Sequence, residues 1–167
     1  MTKAVTPLVV NGWTILAHPQ FLDQIETLIT EVDKLKTKDP ANYQRKNATK
    51  RLVAISRLAF DVIPQDPERE EYRQGDTIGA DKKHWMRAKF FQQYRLFFRY
   101  RKTEKLIVYA WVNDETTLRA YGSKTDAYAV FKRMLEKKRP PDDWDALKKE
   151  SMPSQQRLAA AAKITKP

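Results

Sequence analysis

The chain has 167 residues, 41% hydrophobic and 32% charged, and its 32 Lys and Arg against 21 Asp and Glu leave a net charge of +11 and a pI near 9.8. A chain of this length fits one domain that buries roughly 70% of its unfolded surface, and the charge favours a polyanionic partner such as nucleic acid, anionic lipid or an acidic protein. The absence of cysteine excludes disulfides, thiol nucleophiles and Cys-ligated metals. Two distant histidines disfavour zinc, and four glycines leave no room for a glycine-rich phosphate loop.

Residues 1–8 read as a flexible N-terminal tail with no apolar leader segment. Val9–Ala17 (VVNGWTILA) reads as one strand. HPQF then turns into a helix with Phe21, Ile25, Leu28, Val32 and Leu35 at helical spacing. Asp39-Pro40 predicts the start of a second helix running to about Val62, apolar at Leu52, Ile55 and Ala59 and cationic at Arg45, Lys46, Lys50, Arg51 and Arg57. After a charged loop come three strands, His84–Phe91, Tyr94–Arg101 and Lys105–Val112, whose short links predict an antiparallel meander. Ser123 is expected to cap a further helix with Asp126 as reciprocal partner, its core stripe being Tyr128, Phe131 and Leu135. A short helix around Trp144 and Leu147 follows. From Ser151 the chain reads as a polar, alanine-rich mobile tail. The apolar run LIVYAWV is too short to cross a bilayer, and a cytoplasmic protein without membrane contact is expected.

The stretch WMRAKFFQQYRLFFRYRK, Trp85–Lys102, carries the functional signal. Period two places Met86, Ala88, Phe90, Tyr94, Leu96, Phe98 and Tyr100 on a core face. The opposite face receives Trp85, Arg87, Lys89, Phe91, Arg95, Phe97, Arg99 and Arg101. Around it stand Lys82, Lys83, Lys102 and Lys105, with Glu104 as the one acid between Lys82 and Lys105. Like charges opposed across strands destabilise a sheet. Two readings therefore stand open: edge cations that deter aggregation, or cations for phosphates with aromatics for bases. On the second reading Lys82, Lys83, Trp85, Phe97, Arg99 and Arg101 bind RNA.

Strand, two helices, a meander carrying WxRxKF and YRLFFRY, then NDExTLRxYG and a final helix resemble the RelE/ParE-like toxin superfamily. NGWxxxAHPxF, KDPxNYQRK and GSKTDAYxVF bring the resemblance closest to the YhaV toxins, whose antitoxin is PrlF. It covers about Asn11–Glu150 and implies a RelE-like α+β domain over residues 9–150: an antiparallel sheet packed on two N-terminal helices, with a C-terminal helix. It also implies a type II toxin that cleaves mRNA, in many members on the ribosome, without metal or cofactor, and a hetero-oligomer with a PrlF-like antitoxin. The RNA 2′-hydroxyl would attack the adjacent phosphate and leave a 2′,3′-cyclic phosphate. Positioned cations stabilise such a transition state, and a lysine crowded by arginines can act as a base.

Carried across residue by residue, Arg95 of the Tyr94-Arg95 pair is the phosphate-binding arginine. Arg87 is the transition-state clamp, Lys89 the base, Arg119 a second cation and Tyr121 the proton donor. Tyr128 stands near the usual place of the terminal tyrosine but also fits the helix core stripe. His84 is either an acid-base group or an ordinary surface histidine at a strand start, and His18 reads as a structural hydrogen-bonder. Asn113, Asp114 and Glu115 either orient Arg119 or cap a turn. The residues themselves also allow a non-enzymatic RNA- or ribosome-binding protein on this fold, or a toxin aimed at a protein target.

Overall fold

The structure is a computed structural model that describes residues 6–165. Most of the expected N-terminal tail (residues 1–5) lies outside the described residues, and Leu8 already belongs to a strand. The stretch expected as one strand is a hairpin, β1 (Leu8–Val10) and β2 (Trp13–Ala17), because Asn11 and Gly12 both take left-handed backbone at φ 51° and 82°. Asn-Gly supplies the two positive φ values that a two-residue hairpin turn needs.

Helix α1 spans Pro19–Lys38, capped by His18, whose Nδ1 accepts from the Gln20 amide while Nε2 lies 3.1 Å from Glu150. Asp39-Pro40 ends this helix instead of opening the next. The residue before a proline is pushed out of the helical region, and Asp39 sits at φ −142°, ψ 74°. Helix α2 is therefore shorter than expected, Asn47–Arg57, and runs through a π-helical segment, Leu58–Val62, into the single turn α3, Ile63–Gln65. Pro64 explains the widening, since it cannot donate to the carbonyl four residues back and its ring would strike it. The Tyr109 hydroxyl donates to the Ala59 carbonyl within that segment (2.5 Å).

Strands β3 (Met86–Phe90), β4 (Tyr94–Arg101) and β5 (Leu106–Val112) form the expected meander. The sheet order is β1-β2-β5-β4-β3, and β2 pairs with β5 in parallel, so the sheet is mixed and not wholly antiparallel. Short links dictate antiparallel pairing only between chain neighbours. β2 reaches β5 after the long excursion through α1, α2 and the meander. β5 is central and buried at all seven positions, which is why it reads as an unbroken apolar run.

Both sheet faces are covered. On one, Leu96, Phe98 and Tyr109 meet Phe21, Leu22 and Ile25 of α1 and Ile55 and Ala59 beyond it, as alternation predicts. On the other, α4 (Ala127–Glu136) and α5 (Trp144–Ser151) close over Trp85, Phe97 and Trp111. The Phe131 ring stacks on Phe97 at 4.2 Å and meets Trp85 edge-on at 5.0 Å. A register shift opposite Phe97/Phe98 leaves Ala110 unpaired, so Ala110 and Trp111 join the same core. The face expected to be open is thus a second core, and Trp85 and Phe97 are fully buried in it.

The expected tail also differs: Met152–Ser154 make a 3₁₀ turn and Gln155–Ile164 form helix α6. Leu158 and Ala161 enter the core beside α1, and Arg157 grips Glu26 and Asp23 of that helix at 2.5 and 2.7 Å. Ala161 and Ala162 are buried there, small side chains that let α6 approach closely. Leu158→Ala is expected to cost about 2–4 kcal/mol by opening a cavity, whereas Ile164→Ala, at a largely exposed position, should cost about 0.5 kcal/mol or less. Urea unfolding of the two variants measures this. Equal midpoints would mean that α6 contributes nothing to the fold.

Candidate active site

The Tyr128 hydroxyl is the meeting point of three elements. It accepts from Arg87 Nε of β3 at 2.9 Å and from Arg95 Nε of β4 at 3.1 Å, while the Arg119 guanidinium lies over its ring at 4.5 Å. Asp126 sets this arrangement. As N-cap of α4 it accepts from the Tyr128 amide, and its other oxygen accepts from the Ala120 amide and the Arg119 guanidinium. A carboxylate is favoured at a helix N-terminus by the exposed amides and the helix dipole. The cap is thus Asp126 itself rather than Ser123, whose hydroxyl accepts from Thr125 in the preceding turn.

Arg95 is 7% exposed, not on an open surface. Its Nη1 donates to the Gln92 and Tyr94 carbonyls, both at 2.9 Å, and its amide donates to Asn113 Oδ1 at 2.6 Å. Asn113 is fully buried and its Nδ2 reaches the Gln93 and Thr117 carbonyls, so it ties the β3–β4 turn to the 114–117 turn. Of the two roles open to the Asn113–Glu115 stretch, Asn113 and Asp114 take turn-building, and Glu115 pairs with Arg51. Arg87 Nη1 donates to the Glu71 carbonyl at 2.5 Å. Each of Arg87, Arg95 and Arg119 keeps an Nη2 that has no acceptor among the described residues yet is not sealed from solvent. Lys89 pairs across the strands with Arg95, stands exposed, and has no side-chain partner among the described residues. A groove of about 380 Å³ opens beside Arg87 and Lys89, bounded by Leu58, Val62 and residues 69–73.

The remaining candidates lie elsewhere. Asp142 gathers His84 Nε2 at 2.6 Å, Trp85 Nε1 at 2.7 Å and Lys82 at 3.4 Å. Burial pushes this carboxyl up, but the His84 and Trp85 hydrogen bonds outweigh it and hold Asp142 below its ordinary range. Arg99 is sandwiched between Trp85 and Trp144 and donates to the Asp142 carbonyl, and its burial disfavours the charged form. Arg101 lies over Trp144 and pairs with Glu104, and Lys83 pairs with Asp76. Some cations that sequence groups as uncompensated are matched here by acids distant in the chain, Lys82 by Asp142 and Lys102 by Glu68, while Arg101 uses the nearby Glu104. Tyr121 is 99% exposed and has no hydrogen bond among the described residues, so it stands outside the Tyr128 cluster. Asp126 and Asn113 brace this cluster; the sequence offered Asp126 as a capping partner and Asn113 as a turn cap or a partner of Arg119, but not their links to Arg119 and Arg95. For Asp126 the signal was present in its capping position.

Three guanidinium groups around one phenol can hold a phosphodiester by its non-bridging oxygens and present a proton to a leaving oxygen. Among the described residues no three His, Asp or Glu side chains converge as metal ligands, and no helix is long and apolar enough to cross a membrane. Residues 15–152 match a family described as a toxin with endonuclease activity, of toxin-antitoxin system. The chain belongs to the YhaV toxin family. It is 48% identical over 147 residues, 87% of its own length and 96% of the relative's, to the "Ribonuclease toxin YhaV" of Escherichia coli (strain K12). The same identity and coverage hold for "Toxin YhaV" of Escherichia coli O157:H7 and of strain CFT073. No solved structure matches. Membership in the YhaV family decides among the readings that the residues left open, in favour of an endonuclease toxin with an antitoxin partner.

Proposed function

We propose that the chain is a metal-independent endoribonuclease that cuts mRNA through the 2′-hydroxyl, and that Arg87, Lys89, Arg95, Arg119 and Tyr128 are its reacting groups. The observation that carries this is the Tyr128 hydroxyl shared by the Nε atoms of Arg87 and Arg95. Lys89 takes the 2′-hydroxyl proton, the 2′-oxygen attacks phosphorus, and the bond to the 5′-oxygen breaks. Tyr128 delivers its proton to that leaving oxygen. The products are a 2′,3′-cyclic phosphate and a free 5′-hydroxyl. The three arginines offset the charge that accumulates on the phosphoryl oxygens, in a site already oriented before substrate arrives. A guanidinium does not release its proton, which leaves the phenol and the lysine to move protons.

The role of proton donor therefore passes from Tyr121 to Tyr128. The element order, strand, two helices, meander and helix, supports a RelE-like fold. The printed name of the 48%-identical relative, a ribonuclease toxin, supports RNA as substrate. A PrlF-like antitoxin, a cytoplasmic site of action and action on ribosome-bound mRNA complete the proposal. Cleavage is expected to survive EDTA, and an RNA with a 2′-deoxy nucleotide at the cut position should bind yet stay intact. Mapping the ends of the products by mass spectrometry checks the chemistry. Cutting of the deoxy substrate would remove the 2′-hydroxyl from the mechanism.

A further inference from the structure

The side chains expected to stack on bases, Trp85 and Phe97, are both buried in the second core and unavailable to a ligand. Among the described residues the largely exposed aromatic side chains are two others, Phe91 at 50% and Tyr121 at 99%. Both lie in turns whose backbone is tied to the arginine–tyrosine cluster. Phe91 opens the β3–β4 turn, and Arg95 Nη1 bonds the carbonyl of the very next residue, Gln92. Tyr121 follows Arg119 and Ala120, which Asp126 holds against the start of α4. Asn113 links the Phe91 turn, through Gln93, to the turn at Thr117 that leads into Arg119.

Phe91 is also held out at a cost. It and Gln92 both have left-handed backbone, φ 47° and 64°, a conformation uncommon for a bulky residue. Gly, Asn or Asp would suit that turn better. Phe90 and Tyr94 support the ring from below at 5.5 and 6.5 Å without covering it. A strained, half-exposed aromatic on a turn whose backbone a buried arginine holds points to a ligand with a flat apolar face.

Resting on the reading of this chain as a ribonuclease, we propose that Phe91 and Tyr121 are the base-stacking residues, holding the nucleobases that flank the phosphate bound at Arg87, Arg95 and Arg119. Every base has a π face, so the pair binds single-stranded RNA with little sequence demand while the arginines hold its backbone. Splaying the two bases onto separate turns would also swing the 2′-hydroxyl toward line with the leaving 5′-oxygen. Tyr121 then contributes its ring, and its hydroxyl takes no part in proton transfer.

The test uses an RNA oligonucleotide spanning a mapped cut, with 2′-deoxy at the cut position and 2-aminopurine beside it. Phe91→Asn removes the ring while keeping a residue that accepts left-handed backbone, so its Tm should hold or rise. Tyr121→Ala changes a side chain that packs on nothing. Each is expected to weaken binding roughly tenfold, to relieve the 2-aminopurine quenching, and to leave the slope of affinity against salt unchanged, because stacking releases no counterions. Phe91→Trp and Tyr121→Phe should restore quenching and affinity over the ring-less variants. If the wild type cuts RNA but both ring-less variants bind and quench like it, the stacking proposal falls and the ribonuclease reading stands. A Tyr121→Phe variant as poor as Tyr121→Ala, or a shallower salt slope, overturns it too. A wild type that cuts no RNA removes both readings together.

Discussion

Arg95→Ala is expected to abolish RNA cleavage, by 10³-fold or more on the order of a lost charge-stabilising group, and to lower stability by about 2–3 kcal/mol. The second effect is the less obvious one. On strand alternation alone Arg95 sits on an outer face, where truncation would cost about 0.5 kcal/mol or less. In the fold Arg95 is 7% exposed, and its guanidinium satisfies the Gln92 and Tyr94 carbonyls and shares the Tyr128 hydroxyl. Truncation strands the buried Tyr94 carbonyl and Tyr128 hydroxyl, and a buried unpaired group keeps its full desolvation cost. For a chain of this size the loss corresponds to a Tm lowered by roughly 5–10 °C. Arg95→Lys keeps the charge but cannot serve the phenol and two carbonyls at once, so it should fall between the two in stability. A urea midpoint for Arg95→Ala equal to wild type would mean that the residue is surface-borne and does not hold the Tyr128 cluster together.

Tyr128→Phe is expected to lower kcat by about 10²–10⁴ while KM changes by no more than a few fold, the pattern of a group used in proton transfer. The ring remains, and with it the stack under Arg119 and the edge contact with Phe97 at 5.6 Å. What is lost is the acceptor for two guanidinium Nε atoms, which should cost about 1–3 kcal/mol in stability. Single-turnover cleavage at enzyme excess separates the chemical step from unfolding, and the folded fraction is read from circular dichroism in the same buffer. A rate equal to wild type would assign the proton to another group and leave Tyr128 as a strut for the arginines.

The capping carboxylate makes a related point. Asp126 touches no reacting atom in the proposed mechanism, yet it fixes the start of α4, the 119–120 backbone and the Arg119 guanidinium together. Charge and phenol are brought into register by one helix cap, which keeps the site on rigid elements rather than on free side chains.

Much of this was legible in the residues. Period-two alternation in Tyr94–Arg101 assigned Leu96 and Phe98 to the core beside α1 and α2, because a pleated strand sends neighbours to opposite faces whatever the fold. Helical spacing placed α1 and α4, and the short links between apolar-rich runs placed β3, β4 and β5 as a meander. The basic charge excess pointed to a polyanionic partner; the resemblance of the ordered motifs implied an endonuclease toxin, which the YhaV family match bears out. Other features depended on partners far apart in the chain. Alternation says that the two strand faces differ, but a row of Arg and aromatic residues reads the same whether it meets water or a helix. The covering of that face by α4 and α5, the capture of His84 and Trp85 by Asp142 across 58 and 57 residues, and the parallel seam between β2 and β5 are long-range events with no local signature. By itself the sequence determined periodicity, charge and kinship. Which cations stay open to a phosphate and which are spent on distant acids and carbonyls was decided only when the tertiary structure chose, for each guanidinium, between water and a buried acceptor.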